Sequence, residues 1–150
     1  MLSKKTKYAI KALVALAKND TNLPMLISDI ATNEQLPKKF LEAILLELKH
    51  NGFVSSKKGA GGGYYLLKKA DEINLSAIIR IVDGPIAMLP CVSLNFYERC
   101  EECKDEKTCG IRDIAKDVRD ATLKILVETS IGDIIRREIE LGEQLEAKKA

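Results

Sequence analysis

The chain has 150 residues, of which 46% are hydrophobic and 31% are charged, a composition that predicts one ordinary soluble domain or a small domain with an appendage. No apolar run approaches the ~20 residues that span a bilayer, and the N-terminal MLSKKTKYAI lacks the apolar region of a signal peptide. We therefore expect a cytoplasmic protein with no membrane contact. The chain has no Trp and only 5% aromatic residues, which favours duplex over single-stranded nucleic acid as a partner.

Charge is divided unevenly along the chain. Residues 1–70 hold 12 Lys and 5 acids, a net charge of +7, whereas residues 71–150 hold 12 Lys and Arg and 17 acids, a net charge of −5. Lysines attract phosphate through counterion release, so any nucleic acid should lie on the N-terminal part. The usual interpretation of a charge run is a solvated helix face. It has less weight here because the lysines coincide with the pattern of helices and strands described next.

The first predicted element is a helix from about Ser3 to Lys18, where apolar residues recur at helical spacing and Ser3 is the expected N-cap. The loop NDTNLP ends this helix. A short helix, SDIATNEQ, follows, with Ser28 as its expected cap.

After a turn at residues 33–36, Pro37 takes the first position of another helix, which Asn51-Gly52 ends. This helix and the one before it predict a helix-turn-helix, whose second helix presents its N-terminal side chains to the major groove. The apolar stripe of that second helix is Phe40, Leu41, Ile44, Leu45 and Leu48. The side chains expected on its exposed face are Lys38, Lys39, Glu42, Ala43 and Lys49.

Residues 52–67, GFVSSKKGAGGGYYLL, predict a β-hairpin: β-prone residues flank a glycine cluster that needs positive φ or close backbone approach. Lys57 and Lys58 lie at its tip, where a narrow groove of DNA can accept them. A hairpin that follows a helix-turn-helix in this way is a wing. The alternative is a phosphate-binding loop, but that motif needs Gly-Lys-Ser/Thr entering a helix, and here the glycines lead into a strand.

Three further helices are expected. Residues 75–82 form a short one, capped by Asn74 and broken by Asp83-Gly84-Pro85. Residues 111–127 form a long amphipathic one, whose apolar face should pair with its copy in a dimer. Ser130 caps the last, IGDIIRREIELG, and the polar tail EQLEAKKA should fray. The fold class is thus mainly α with a small β wing, divided into a DNA-binding domain (1–83), a cysteine-rich sensor loop (84–110) and a dimerisation helix with its tail (111–150).

The four cysteines, Cys91, Cys100, Cys103 and Cys109, fall within 19 residues after about ninety residues that contain none. In a cytoplasmic protein such a cluster is typical of metal binding or redox sensing rather than structural disulfides. Four thiolates suit tetrahedral zinc or an iron-sulfur cluster, and the ligands alone do not choose between them. Surrounding acids raise thiolate pKa values, which argues against reactive bare thiols. Four free thiols in a loop remain the alternative.

Three segments resemble the Rrf-two (Rrf2) family of winged-helix transcriptional regulators: LSKKTKYAIKALVALA, LPKKFLEAILLELKHNGFVSSKKGAGGGYYL and DEINLSAIIRIVDGP, with cysteines after the last. The resemblance covers nearly the whole chain and implies DNA binding. It places Glu42, with Lys38 and Lys39, near base edges or phosphates, and Lys58 in the minor groove, where family members often have Arg. Lys keeps the charge but weakens narrow-groove shape recognition. The predicted DNA-contacting residues are Ser28, Lys38, Lys39, Glu42, Lys49, Lys57, Lys58, Gly59 and Tyr64.

The resemblance also implies an iron-sulfur cluster, [2Fe–2S] or [4Fe–4S], in the cysteine loop. Cys103 and Cys109 match the last two cysteines of cluster-binding members, whereas Cys100 is additional. The histidine ligand of some members falls at Arg112 and the carboxylate ligand of others at Lys7, and neither residue can ligate. Either Cys100 completes an all-thiolate site, or the cluster is incomplete or absent. The single histidine, His50, is interpreted as a helix C-cap or DNA-facing residue rather than a ligand.

Together these features predict a homodimeric transcription factor, a repressor by family analogy, that binds a pseudo-palindromic operator. Loss, oxidation or nitrosylation of the cluster would reorder residues 91–109 and change the spacing of the two recognition helices. The first rival is a regulator without a cluster, controlled by thiol oxidation or a partner protein, or one that holds structural zinc. The second, an enzyme, is disfavoured because no nucleophile-base pair is evident.

Overall fold

A computed structural model describes residues 2–19 and 23–149. Within these residues the helices are α1 (Lys4–Ala17), α2 (Ile27–Asn33), α3 (Lys38–His50), α4 (Leu75–Val82), α5 (Gly110–Glu128) and α6 (Ile131–Lys149). Strands β1 (Val54–Lys57) and β2 (Gly63–Leu66) form an antiparallel pair, and short 3₁₀ helices cover Ala70–Glu72 and Pro90–Val92. A mainly helical chain with a small two-stranded sheet confirms the predicted fold class. In the part of the chain described, no helix combines the length and apolarity needed to cross a membrane.

Helix α1 begins as predicted. The hydroxyl oxygen of Ser3 accepts a hydrogen bond from the backbone N–H of Thr6 at 3.0 Å, which satisfies one of the N–H groups that every helix leaves free at its start. The loop expected after α1, residues 19–24, falls partly on residues 20–22, which lie outside the described residues.

The helix-turn-helix is formed by α2 and α3, with two corrections at the helix starts. Leu26 is the N-cap residue of α2, so Ser28 lies inside the helix and does not cap it. Pro37 is the N-cap residue of α3 rather than its first helical residue. Between the helices, Gln35 adopts a φ of 54°, which reverses the chain within the turn.

The apolar stripe of α3 is buried as predicted, except for Phe40, which is 43% exposed. Its ring packs edge-on against Tyr8 of α1, with the ring centroids 5.7 Å apart. Phe40 therefore contacts α1 at the edge of the core. An edge-to-face aromatic pair is favourable even when one ring is only partly buried.

The wing pairs residue for residue from Val54 opposite Leu66 to Lys57 opposite Gly63. Tyr64 exchanges two backbone hydrogen bonds of 2.8 Å with Met25, so the hairpin is also bonded to the segment just before α2. Gly63 is required at this junction, because a Cβ there would lie 2.4 Å from the carbonyl oxygen of Met25. The wing is thus attached at both strands: β1 follows α3 directly in the chain, and β2 is hydrogen-bonded to the segment before α2.

One main core lies between α1, the helix-turn-helix, α4 and the first turn of α6. Leu13 of α1 is fully buried there among side chains from the other elements. The other large side chains that are fully buried in this core are Ile30, Leu41, Ile44, Leu45, Leu48, Val54, Ile73, Ile78 and Ile131. The core therefore positions α3 with its opposite face toward solvent.

Helix α4 is capped by Asn74, whose side-chain oxygen accepts from Ala77 N at 2.9 Å, as predicted. Its C-terminal end is bonded to the start of α1, because the Asp83 carboxylate accepts from Ser3 N at 3.0 Å and from the Ser3 hydroxyl. Burial raises the pKa of Asp83, but the hydrogen bonds from Ser3 outweigh it and hold the pKa below its ordinary value.

Helices α5 and α6 are 19 residues each and are separated by Thr129 and Ser130. Ser130 caps α6 as predicted: its hydroxyl accepts from Asp133 N at 3.1 Å, and the Asp133 carboxylate accepts from Ser130 N at 2.8 Å. The expectation that the tail EQLEAKKA frays or is disordered is wrong for residues 143–149, which continue α6, and Ala150 lies outside the described residues. Alternating Glu, Lys and Ala have high helix propensity, which explains the continuation.

Candidate nucleic-acid interface and cysteine loop

The solvent face of α3 carries the side chains that the sequence predicts. Lys38, Lys39, Glu42 and Ala43 are exposed on its N-terminal half, on the side opposite the buried leucines. The face is positive because three lysines, including Lys49, stand against one acid. An exposed helix of this charge is suited to the phosphates and base edges of a major groove.

Lys49 is engaged with the wing. Its ammonium donates to the hydroxyl of Ser56 on β1 at 2.6 Å, which connects the last turn of α3 to the hairpin. His50 is exposed at the last helical position of α3, and the C-cap is Asn51, so the expectation that His50 caps the helix is wrong and a DNA-facing role stays a prediction. The recognition helix and the wing are therefore one connected surface.

Lys57 and Lys58 lie at the end of β1 and at the wing tip, beside Gly59, and all three are exposed. Neither lysine has an ion-pair partner among residues 2–19 and 23–149, so both charges are available to a ligand. Tyr64 is half-buried on β2, and its backbone is bonded to Met25. The wing tip thus offers two unpaired cations on a hairpin whose base is fixed.

Two acids of the basic half are neutralised by α1. Glu47 of α3 forms an ion pair of 2.6 Å with Lys5, and Glu34 forms one of 3.3 Å with Lys11. Ser28 is exposed on α2, away from these pairs, and its carbonyl accepts from the Thr32 hydroxyl at 2.8 Å. No local pattern in the sequence indicates which lysines pair with acids, because the partners come from different elements.

The cysteine loop lies against the N-terminal half of α5. Cys91 is buried together with Val92 and Ala115, and Cys100 packs at the edge of this small cluster. Arg119 of α5 donates to the carbonyl oxygen of Val92. The loop is therefore held on α5 by one apolar cluster and one charge-assisted hydrogen bond.

Three of the thiols, Cys100, Cys103 and Cys109, have shifted pKa values. Cys109 is the N-cap of α5, and the hydrogen bond from the backbone N–H of Arg112, 3.4 Å from its sulfur, lowers the pKa of its thiol. Burial and a hydrogen bond with Cys109 raise the pKa of Cys103. The hydrogen bond of 3.2 Å to the Glu102 carboxylate raises the pKa of Cys100. Of these three thiols, Cys109 is thus the most readily ionised.

The donor set fits a thiolate-bound metal in kind, since four sulfurs lie in one loop and the pKa of Cys109 is lowered by its hydrogen bond from Arg112 N. The positions of the four sulfurs, however, do not form a metal site in the described residues. In the described ranges, no group of three or more His, Cys, Asp or Glu side chains is arranged to hold a metal ion. Lys7 and Arg112, at the positions where the resemblance implied a further ligand, are cations and cannot ligate. Binding a metal would therefore require the loop to close around it.

Helix α5 exposes an apolar stripe along its length. Ile111 is 74% exposed, Ile114 67% and Ile125 63%, with Val118 between them. A bare stripe of this kind on a long amphipathic helix is typical of an interface with another chain.

The geometry of a helix-turn-helix with a wing agrees with the comparisons with known proteins. The family model described as Rrf2, iron-dependent transcriptional regulator, matches residues 2–137. This chain belongs to the Rrf2 family. An rrf2-like HTH-type transcriptional regulator of Rhodobacter capsulatus is 41% identical over 138 residues, which are 90% of this chain and 92% of that protein.

Two other similarities bear on the cysteine loop. The Rrf2 relative IscR of Pectobacterium atrosepticum is 27% identical over 134 residues, 89% of this chain and 78% of that protein. The solved structure of CymR, the global cysteine regulator of B. subtilis, matches with a TM-score of 0.73 at 30% identity and covers 89% of this chain and 95% of CymR. Rrf2 regulators are DNA-binding transcriptional regulators and not enzymes. This confirms the prediction of a DNA-binding transcriptional regulator and the prediction that the chain is not an enzyme.

Proposed function

We propose that this Rrf2 regulator is a cytoplasmic homodimer that binds a pseudo-palindromic operator and represses transcription. The observation that carries the proposal is the continuous basic surface of α3 and the wing, joined by the Lys49–Ser56 hydrogen bond. Two such surfaces related by two-fold symmetry match two half-sites about one helical turn of DNA apart.

The proposed roles differ along this surface. Lys38, Lys39 and Glu42 meet base edges and phosphates in the major groove. Lys57 and Lys58, with the backbone of Gly59, meet the minor groove and its phosphates. Ser28 and Tyr64 flank these contacts as hydroxyl donors to phosphate. Lys49 contributes by fixing the wing against α3 as well as by its charge.

The proposed dimer interface is the apolar stripe of α5. Burying each exposed isoleucine in the interface contributes on the order of 2 kcal/mol to the free energy of dimerisation. Several such residues on each helix therefore offset much of the entropy lost on association. Analytical ultracentrifugation tests this proposal: the native chain should sediment as a dimer, and Ile114→Glu should sediment as a monomer. A monomeric native chain at micromolar concentration would remove the basis for a two-half-site operator.

We propose that the sensor is the cysteine loop, residues 91–109, with an iron-sulfur cluster held by Cys91, Cys100, Cys103 and Cys109. The support is the all-thiol donor set, the ionisable Cys109 and the family description as iron-dependent. When bound, a cluster would supply sensitivity to redox state. In the described part of the chain these thiols are not arranged around one point. The loop acts through its contacts with α5, at Ala115 and Arg119.

A thiol-based sensor is the second candidate, favoured by the lowered pKa of Cys109, which lies in the same loop as Cys103. It agrees with the similarity to CymR, which its solved structure describes as a cysteine regulator. In this case a disulfide between these two thiols, or a partner protein, sets DNA affinity. Structural zinc is the third possibility.

One experiment separates these candidates. Protein purified without oxygen is analysed for iron, zinc and acid-labile sulfide and by absorption spectroscopy at about 320–420 nm, where thiolate-bound clusters absorb. Iron with sulfide and colour supports the cluster. Zinc without colour makes the loop structural, and no metal supports the thiol sensor. DNA affinity that is identical with and without the bound metal would overturn sensing by a cluster.

A further inference from the structure

The corner between α5 and α6 is bonded to the segment that connects the wing to α4. The carbonyl oxygen of Thr129 accepts from Leu75 N at 2.9 Å, and Ile131 N donates to the carbonyl oxygen of Ile73 at 2.9 Å. Ile73 and Ile131 are both fully buried in the main core. The end of the long helix is therefore a fixed neighbour of the chain that leaves the wing.

Side chains extend this junction toward the hairpin. Arg136 of α6 donates to the Asp71 carboxylate at 2.8 Å and to the Asp133 carboxylate at 2.7 Å. Asp71 belongs to the 3₁₀ helix Ala70–Glu72, which begins four residues after β2 ends. Arg136 thus connects the second turn of α6 to the segment that follows the wing.

A glycine makes this contact possible. A Cβ added to Gly132 would lie 2.0 Å from Asp71 Oδ1, which is shorter than any real contact. With glycine at this position, the Asp71 carboxylate can approach the first turn of α6 and meet Arg136. Alanine would displace the carboxylate and leave the net charge of the protein unchanged.

We propose that Arg136 is a positioning residue for the wing: by holding Asp71 against α6, it fixes the base of the hairpin whose tip carries Lys58. The proposal rests on the proposed contact of Lys58 with DNA. Arg136 acts through Asp71 and needs no contact with DNA itself. Helix α5 has 19 residues and spans about 28 Å. It ends at this corner, and the cysteine loop is held on its N-terminal half, so the corner connects the wing to the helix that carries the loop.

Three variants break the contact with different changes in charge. Gly132→Ala displaces Asp71 without a charge change, Arg136→Gln removes a cation, and Asp71→Asn removes an anion. If the contact positions the wing, all three should weaken DNA binding by about threefold, within the range for an exposed ion pair. An effect of net charge alone would give Asp71→Asn the opposite sign, because losing an acid strengthens attraction to phosphate. The matched control is Arg137→Gln, which removes the neighbouring exposed cation and should leave the affinity unchanged.

A double-mutant cycle with Lys58→Ala then tests positioning directly. Affinity for a duplex selected from a random pool is measured for Gly132→Ala, Lys58→Ala and the double variant, with thermal unfolding as a check of folding. We expect Gly132→Ala to cost about threefold alone and nothing further in the Lys58→Ala background, because the wing contact is then already lost.

The outcomes distinguish the two proposals. If Lys58→Ala leaves the affinity unchanged, the proposed wing contact fails, and the positioning role fails with it. If Lys58→Ala weakens binding and the two factors multiply, the wing contact stands and the positioning role is overturned. Gly132→Ala should not destabilise α6, because Ala has a higher helix propensity than Gly. If this variant nevertheless unfolds at a lower temperature than wild type, Arg136→Gln replaces it in the cycle.

Discussion

The salt dependence of DNA binding tests the wing contact most directly. Lys58 is exposed at the wing tip, and its ammonium has no ion-pair partner in the described part of the chain. Each phosphate contact contributes about 0.9 to the slope of log affinity against log salt concentration, and the proposed homodimer carries two wings. Lys58→Ala should therefore reduce the magnitude of the slope by about 1.8.

Fluorescence anisotropy with a labelled operator duplex measures this slope between about 50 and about 200 mM salt, where counterion release dominates. Over this fourfold range the wild type should lose about twelvefold more affinity than the variant. The control is Lys148→Ala, which removes the same charge near the C-terminal end of α6 and should leave the slope unchanged. Equal slopes for wild type and Lys58→Ala would refute the contact. So would an equal decrease for Lys148→Ala, because the effect would then be one of net charge.

Three further predictions concern stability. Ser3→Ala should lower the free energy of unfolding by about 1 kcal/mol, because it removes the cap of α1 and a hydrogen bond to Asp83. Urea denaturation measures this change. The control is Ser55→Ala, which should lower the free energy of unfolding by less. Because the pKa of Asp83 is lowered in the folded state, its contribution is present above the unfolded pKa of about 3.9 and is lost as pH falls through the folded pKa. The stability difference between wild type and Asp83→Asn should therefore shrink on acidification, and a constant difference would contradict the shift. Leu13→Ala, at a fully buried position, should cost about 2–5 kcal/mol. A loss below 1 kcal/mol would show that the core around α1 rearranges.

The sequence predicted most local elements correctly because their signals are local. Ser3, Asn74 and Ser130 each accept a backbone hydrogen bond within their own helix start, so residue type and position suffice to identify them. Gly59 lies at the tip of the predicted hairpin with a φ of 90°, a conformation that glycine adopts without strain. Periodicity likewise identified the buried leucines of α3.

Several of the contacts that the sequence did not predict are long-range. Nothing in the local sequence indicates that Met25 pairs with Tyr64, or that Asp83 bonds to Ser3 eighty residues away. Phe40 was expected in the buried stripe because its spacing fits, yet periodicity reports a direction on the helix and not the depth of the core on that side. The division of the chain into three segments stays a prediction, and Ile131 of the last segment packs in the main core.

Helix α5 connects the three proposed functions of the regulator. Its N-terminal half holds the cysteine loop, through Cys109 as its cap and Arg119 on the Val92 carbonyl. Its exposed isoleucines form the proposed dimer interface. Its C-terminal end meets the connector of the wing at Thr129. Since a helix transmits displacement with little internal change, we infer that rearranging the cysteine loop alters both the pairing of the two subunits and the placement of each wing. A regulator built in this way changes operator affinity without any change in the residues that contact DNA.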